Sequence, residues 1–161
     1  MNNLKASTQT DVAIKNFRNK VVELESKLLS SSDSNVVKGN SDFFPLTHSF
    51  SDGVYVREMK MGKGGMVIGK IHNRSHTWFL MQGHLLIATE DGSFEYKAPT
   101  YVNAPAGCKR VIKALEDSVF VNVHPNPDNI KDIDKLEKIL TCVSYKEYED
   151  MNYKNTLIWA W

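Results

Sequence analysis

Between about Phe43 and Asn126 the chain is a succession of short runs of β-forming residues, each cut off by a turn signal. Val54–Met59 follows Ser51-Asp52-Gly53, and Gly62-Lys63-Gly64-Gly65 separates it from a run predicted as one strand over Met66–His72. Thr77–Met81 and Leu85–Thr89 come next, and Asp91-Gly92 joins the latter to a returning strand at Ser93–Tyr96, a strong short-range hairpin signal. Tyr101–Asn103, the turn Pro105-Ala106-Gly107, Arg110–Ile112 and Ser118–Val123 complete the series. Closely spaced strands with no helical period between them predict an antiparallel sandwich or small barrel.

The flanks read differently. Ile14, Phe17, Val21, Leu24 and Leu28 recur at alternating three- and four-residue steps among Lys, Glu, Asn and Arg, the pattern of an amphipathic helix, with Thr10 or Asp11 as its cap. The seam fits a partner helix and the chain's own barrel equally well. Ser30–Asn35 reads as a flexible linker. Beyond Pro125-Asn126-Pro127-Asp128, Ile130, Ile133, Leu136, Ile139 and Leu140 share one face of a short helix. The tail ends in Trp159 and Trp161, which want burial on this subunit or on a neighbour. The expected division is residues 1–35 for helix and linker, 36–127 for the barrel, and 128–161 for the C-terminal helix and tail.

A chain of 161 residues carries one core plus these helices. A net charge of +1 leaves no footprint for nucleic acid, and no apolar run is long enough to span a membrane. The N-terminal stretch has no apolar leader, and Cys108 and Cys142 form no framework, so free thiols in a reducing compartment are expected. Gly62–Gly65 lacks the order of a phosphate loop, and no serine sits in a nucleophile-elbow context.

Two stretches resemble the motifs of the cupin superfamily. Counting back from Gly83, His76 stands where the first motif has Glu, His72 at its second His and Lys70 at its first. In the second motif Pro105 and Gly107 hold the turn, Arg110 takes the His position, Ala114 the Asn position and Pro99 that of the leading Gly. The resemblance implies a mainly β, cupin-like jelly-roll barrel with half of the usual metal ligands replaced.

Alternation along a strand would put Lys70 and His72 on one face, and a turn through Asn73-Arg74-Ser75 would bring His76 beside His72. No HExxH motif supports a helical alternative. A metal site needs a third ligand, for which His124 is the first choice and Glu116 or Gln82 weaker ones. Lys70 and Arg110 put fixed positive charge beside those ligands, which works against a divalent ion. In the competing reading the histidines only hydrogen-bond, Lys70 extends outward, and Arg110 pairs with Glu116 or Asp117.

A closer resemblance, over about Leu46 to His124, is to small cupin-like proteins encoded by tailed bacteriophages. It rests on PLTHSFSDGVYVREM, KIHNRSH and APAGCKRVIKALEDSVFVNVHP, in which Arg57, Glu58, Lys70, His72, His76, Lys109, Arg110, Glu116, Asp117 and His124 match. It implies synthesis in the host cytoplasm and a virion setting, and with the missing ligands and the partner-seeking flanks it leads to a non-enzymatic homo-oligomer incorporated in, or assembling with, the virion and its proteins. Two alternatives stand beside it. One is a metal-dependent enzyme acting on a small polar substrate, with His72, His76 and His124 holding a divalent ion and Glu116 or Glu58 as base. The other is a metal-free module in which Lys70, Arg110, Glu116 and the histidines line a pocket for an anionic, carbohydrate-like ligand, with Trp78 stacking on it.

Overall fold

The computed structural model describes residues 3–36 and 42–158, with side chains over 10–36 and 42–152. Its centre is a pair of antiparallel sheets. Ten strands build them or attach to them: β1 (Leu46–Ser51), β2 (Gly53–Met61), β3 (Met66–Ile68), β4 (Ile71–His72), β5 (His76–Gln82), β6 (His84–Thr89), β7 (Gly92–Lys97), β8 (Thr100–Ala104), β9 (Val111–Ala114) and β10 (Ser118–Asn126). One sheet runs β1-β2-β10-β5-β8 and the other β3-β9-β6-β7. Set aside the edge strand β1 and the short β4, and eight strands remain. The first pairs with the last, the second with the seventh, the third with the sixth and the fourth with the fifth. A long hairpin folded over on itself gives that order, and it is the jelly roll expected from the sequence.

The sheets meet over a core of Met61, Trp78, Leu80, Leu85, Ile87, Ile112 and Phe120. Strand alternation supplies it. In β10 every second residue from Ser118 to Asn126 is buried, and in β5 His76, Trp78 and Leu80 are. Each barrel end differs in what the buried face carries. Apolar side chains fill the Met61–Leu80 end, while Asn122, His124 and His76 occupy the other.

The strand predicted over Met66–His72 is broken in two. β3 stops at Ile68, the Gly69 N–H bonds the Arg110 carbonyl, and β4 leaves the sheet to pair with β11 (Thr141–Cys142). Gly83 turns β5 into β6 at φ 89°, and a Cβ there would lie 2.3 Å from both the Asp117 carbonyl oxygen and Ser118 Oγ. Only glycine fits.

Three helices complete the fold. α1 spans Asn3–Leu29, so Thr10 and Asp11 lie inside it rather than at its cap. It packs on its own barrel: Val21 is buried, and Ile14, Phe17, Leu24 and Leu28 are half-buried. Lys109, only 2 % exposed, sends its Nζ to both Glu25 carboxylate oxygens at 2.9 and 3.0 Å. Arg18 bonds Glu90 at 2.6 Å and lies 4.3 Å over the Tyr145 ring.

α2 (Ile133–Leu140) is capped by Asp132, whose side chain accepts from the Lys135 N–H. Its Leu136 and Leu140 pack on Tyr55 with Ile130 and Ile133, whereas Ile139 stays exposed. α3 (Tyr145–Ile158) is a second C-terminal helix where the sequence reading had only a tail. Its polar composition hides the apolar period, but Tyr145 and Tyr148 anchor its start, the latter against Gly107. Trp159 and Trp161 lie outside the described residues. No helix among the described residues is long and apolar enough to cross a membrane.

Candidate functional site

The chain between Gly69 and His72 runs beside Gly107–Arg110 and is pinned to it by backbone hydrogen bonds. The Gly107 N–H donates to the His72 carbonyl (2.7 Å) and the His72 N–H to the Cys108 carbonyl (3.2 Å). This places His72, at the end of β4, over the inward face of the barrel. His76 opens β5 and Asn122 and His124 follow each other at a two-residue step on β10, all facing inward. Arg110, just before β9, enters from the opposite side. All five side chains are buried.

The three imidazoles stack. Ring centroids are 4.0 Å apart for His72–His76, 4.7 Å for His76–His124 and 5.3 Å for His72–His124, and Tyr55 caps the pile on His124 at 5.9 Å. Arg110 Nη2 lies 3.1 Å from His72 Nε2, 2.9 Å from His76 Nε2 and 3.2 Å from Asn122 Oδ1. A guanidinium only donates, so both Nε2 atoms must accept, which places the ring proton of each on Nδ1. His76 Nδ1–H then donates to the Arg74 carbonyl at 3.3 Å. His72 Nδ1 and Arg110 Nη1 are buried without a hydrogen-bond partner among the described residues.

Electrostatics agree with neutral rings. Burial and then the Arg110 charge hold His72 well below the ordinary histidine value. The same two causes lower His76 to about 4. His124 falls to about 3 through burial, His76 and the two arginines Arg57 and Arg110. Arg110 itself is lowered by burial to about 10 and stays charged at neutral pH. Arg57 sits 3.6 Å from Glu137, which also takes Lys70 Nζ at 2.6 Å.

The resemblance in the sequence implies a divalent ion at this place. One ligand atom from each of His72, His76 and His124 can be chosen so that all lie within 4.8 Å of one another. An ion held at about 2.1 Å needs donors no more than about 4.2 Å apart, each with a free lone pair. The lone pairs of His72 and His76 are instead spent on Arg110. The side chains as arranged do not fit a metal.

The structure thus brings together His72, His76, His124 and Arg110 and separates the rest. Lys70 lies outside any strand, half-exposed and turned out to Glu137, because the break at Gly69 ends the shared face with His72. Trp78 is the floor beneath His76, held edge-on to Tyr96 at 5.0 Å and against Phe120 at 5.2 Å, with no free face to stack a ligand. Glu116 is exposed in the turn between β9 and β10; its N–H and Ser118 mark the far end of β10, about 20 Å along the strand from His124. Arg110 therefore does not pair with Glu116 or Asp117, and the Asp117 carboxylate accepts from the Lys63 N–H instead. Gln82 is at that same far end, and Glu58 falls on the alternate face of β2 from Arg57. Sequence reasoning missed Asn122, although the two-residue step back from His124 marks it, and Tyr55, and it gave Arg57, which shares the inward face of β2 with Tyr55, no place in the site.

No protein-family model matches the sequence. No curated protein sequence matches it either. Similar solved structures are cupin superfamily proteins. One from Desulfitobacterium hafniense is 13 % identical, over 56 % of this chain and 84 % of its own, with a TM-score of 0.48. A cupin 2 conserved barrel domain protein from Salinispora arenicola is 10 % identical, over 65 % and 94 %, with a TM-score of 0.48. KdgF from a Halomonas species is 15 % identical, over 56 % and 88 %, with a TM-score of 0.48.

Proposed function

We propose that this chain is a non-enzymatic, cupin-like scaffold that works through its outer surfaces, as a homo-oligomeric structural or adaptor component. The observation that carries the reading is the guanidinium of Arg110 on the Nε2 atoms of His72 and His76, at 3.1 and 2.9 Å. Those lone pairs are what a metal enzyme of this architecture would need free. The burial of the whole constellation beneath α2 and the 107–110 loop adds to it, since a substrate needs an open mouth. A virion setting is what the resemblance read in the sequence implies, and Val12, Val22 and Leu29 leave apolar side chains exposed along α1.

Mass photometry of the full chain at micromolar concentration, with metal analysis of protein purified without chelator, tests the reading. A defined oligomer carrying well under one metal per chain is the expected result. A clean monomer, or a stoichiometric metal ion, would overturn it.

A further inference from the structure

We propose that Arg110 is the resident cation of a latent three-histidine metal site, and that removing its guanidinium lets His72, His76 and His124 bind one divalent transition-metal ion per chain. The inference rests on the same constellation as the proposed function but not on the oligomeric role.

Three acceptors converge on a single nitrogen. His72 Nε2, His76 Nε2 and Asn122 Oδ1 lie 2.9–3.2 Å from Arg110 Nη2, although that nitrogen carries only two protons. Such convergence of lone pairs on one point is what a cation site looks like, with the guanidinium at its centre. The third imidazole stands ready beside it, its ring 4.7 Å from that of His76 and its ligand atom within 4.8 Å of the other two. Among the described residues no carboxylate bonds Arg110; the imidazoles and an amide solvate the buried charge in the way ligands solvate an ion.

Backbone geometry holds the guanidinium there. Lys109 and Arg110 are consecutive and both buried, yet they point to opposite sides: Lys109 outward to Glu25 on α1, Arg110 inward to the histidines. The loop is further tied to β4 at His72. Withdrawing Arg110 alone leaves the three rings, each on its own strand, with the Nε2 lone pairs of His72 and His76 facing the vacated volume and ligand atoms within 4.8 Å of one another, a spacing that side-chain rotation closes to the about 4.2 Å an ion needs. Imidazole suits zinc, cobalt, nickel and copper. Removing one positive charge about 4 Å from a doubly charged ion strengthens binding on the order of a million-fold at an effective dielectric of about 20, even before the freed lone pairs are counted.

The test uses the full chain, stripped of metal, as wild type, Arg110→Ala and Arg110→Gln. Cobalt(II) is titrated against each and followed by its visible ligand-field absorption, and zinc(II) by calorimetry. Folding of each variant is checked by circular dichroism. The expected result is one ion per chain in both variants, bound on the order of a million-fold tighter than by wild type, and lost again when His124→Ala is added. Wild type binding as tightly as the variants would overturn the proposal, and so would folded variants that bind nothing. A second measurement needs no variant: nitrogen-15 spectra of wild type should show His72 and His76 as Nδ1–H tautomers, unmoved by one equivalent of zinc(II). Other tautomers, or a zinc-induced shift, would also overturn it. A wild type found monomeric would sink the oligomeric reading and leave this one standing.

Discussion

Acidification from pH 7 to pH 5 should cost this protein about 4 kcal/mol of stability or more, and three stacked histidines are the reason. In the unfolded chain an imidazole titrates near 6.5, so it passes from about one-quarter protonated at pH 7 to almost fully protonated at pH 5. In the fold His76 is held at about 4 and His124 at about 3, so both remain largely neutral over that range. The unfolded state therefore binds more protons, and stability falls as pH falls. The contribution is whole above about 6.5 and drains away toward the folded values. Each of the two rings accounts for about 2 kcal/mol between pH 7 and 5. His72, also held well below its ordinary value, adds to the sum.

Carboxylates titrate mostly below this window, which makes it diagnostic. The assay is urea unfolding at half-unit steps of pH with the denaturant slope monitored, repeated in His76→Gln with His124→Gln. Wild type should lose about 4 kcal/mol or more, a large share of an ordinary domain's 5–15 kcal/mol, and the double variant should be markedly flatter. A change below about 1 kcal/mol in wild type, or an equal slope in the variant, would refute the reasoning, because it would mean these rings do not stay neutral and packed. Chelator should leave the profile unchanged.

Gly83→Ala should cost about 3 kcal/mol or more in thermal or urea unfolding, through the clash with the Asp117 carbonyl and the positive φ. Gly62→Ala, where an added Cβ meets nothing within 4 Å, should stay within about 0.5 kcal/mol of wild type. Glu25→Ala leaves Lys109 buried and unpaired, and should cost about 3 kcal/mol and raise amide exchange along α1; Lys109→Met in that background should recover much of the loss. Leu136→Ala opens a cavity against Tyr55 and should cost about 2–5 kcal/mol by the same unfolding assay.

The barrel was legible because its two signals are local and agree. Alternation in β5 and β10 assigns each residue to a face, and the Asp91-Gly92 and Gly107 turns fix where the chain reverses. The break after Ile68 was not legible, because Met66–His72 is a continuous β-forming run. What interrupts it is tertiary: β11, more than sixty residues further on, offers β4 a better partner. α3 was missed for a related reason, since its start is held by Arg18 and Gly107 rather than by an apolar stripe of its own.

The site shows where local reading stops. The histidine spacing was enough to predict that 72 and 76 meet, because a short turn between two inward-facing strand ends leaves them little else to do. Arg110 was harder. Its acidic neighbours in sequence, Glu116 and Asp117, look like natural partners, but β9 lies between, and four residues of strand carry the chain to the other end of the barrel. The decisive step is one of parity. Lys109 and Arg110 face opposite ways, and the carboxylate that claims Lys109 comes from α1, eighty-four residues earlier. Once Glu25 takes the lysine outward, the arginine has no direction left but inward, onto lone pairs that would otherwise serve an ion. On the proposed reading the guanidinium is helped into the barrel from outside it, by the Glu25 of a helix that the barrel's own motifs do not include.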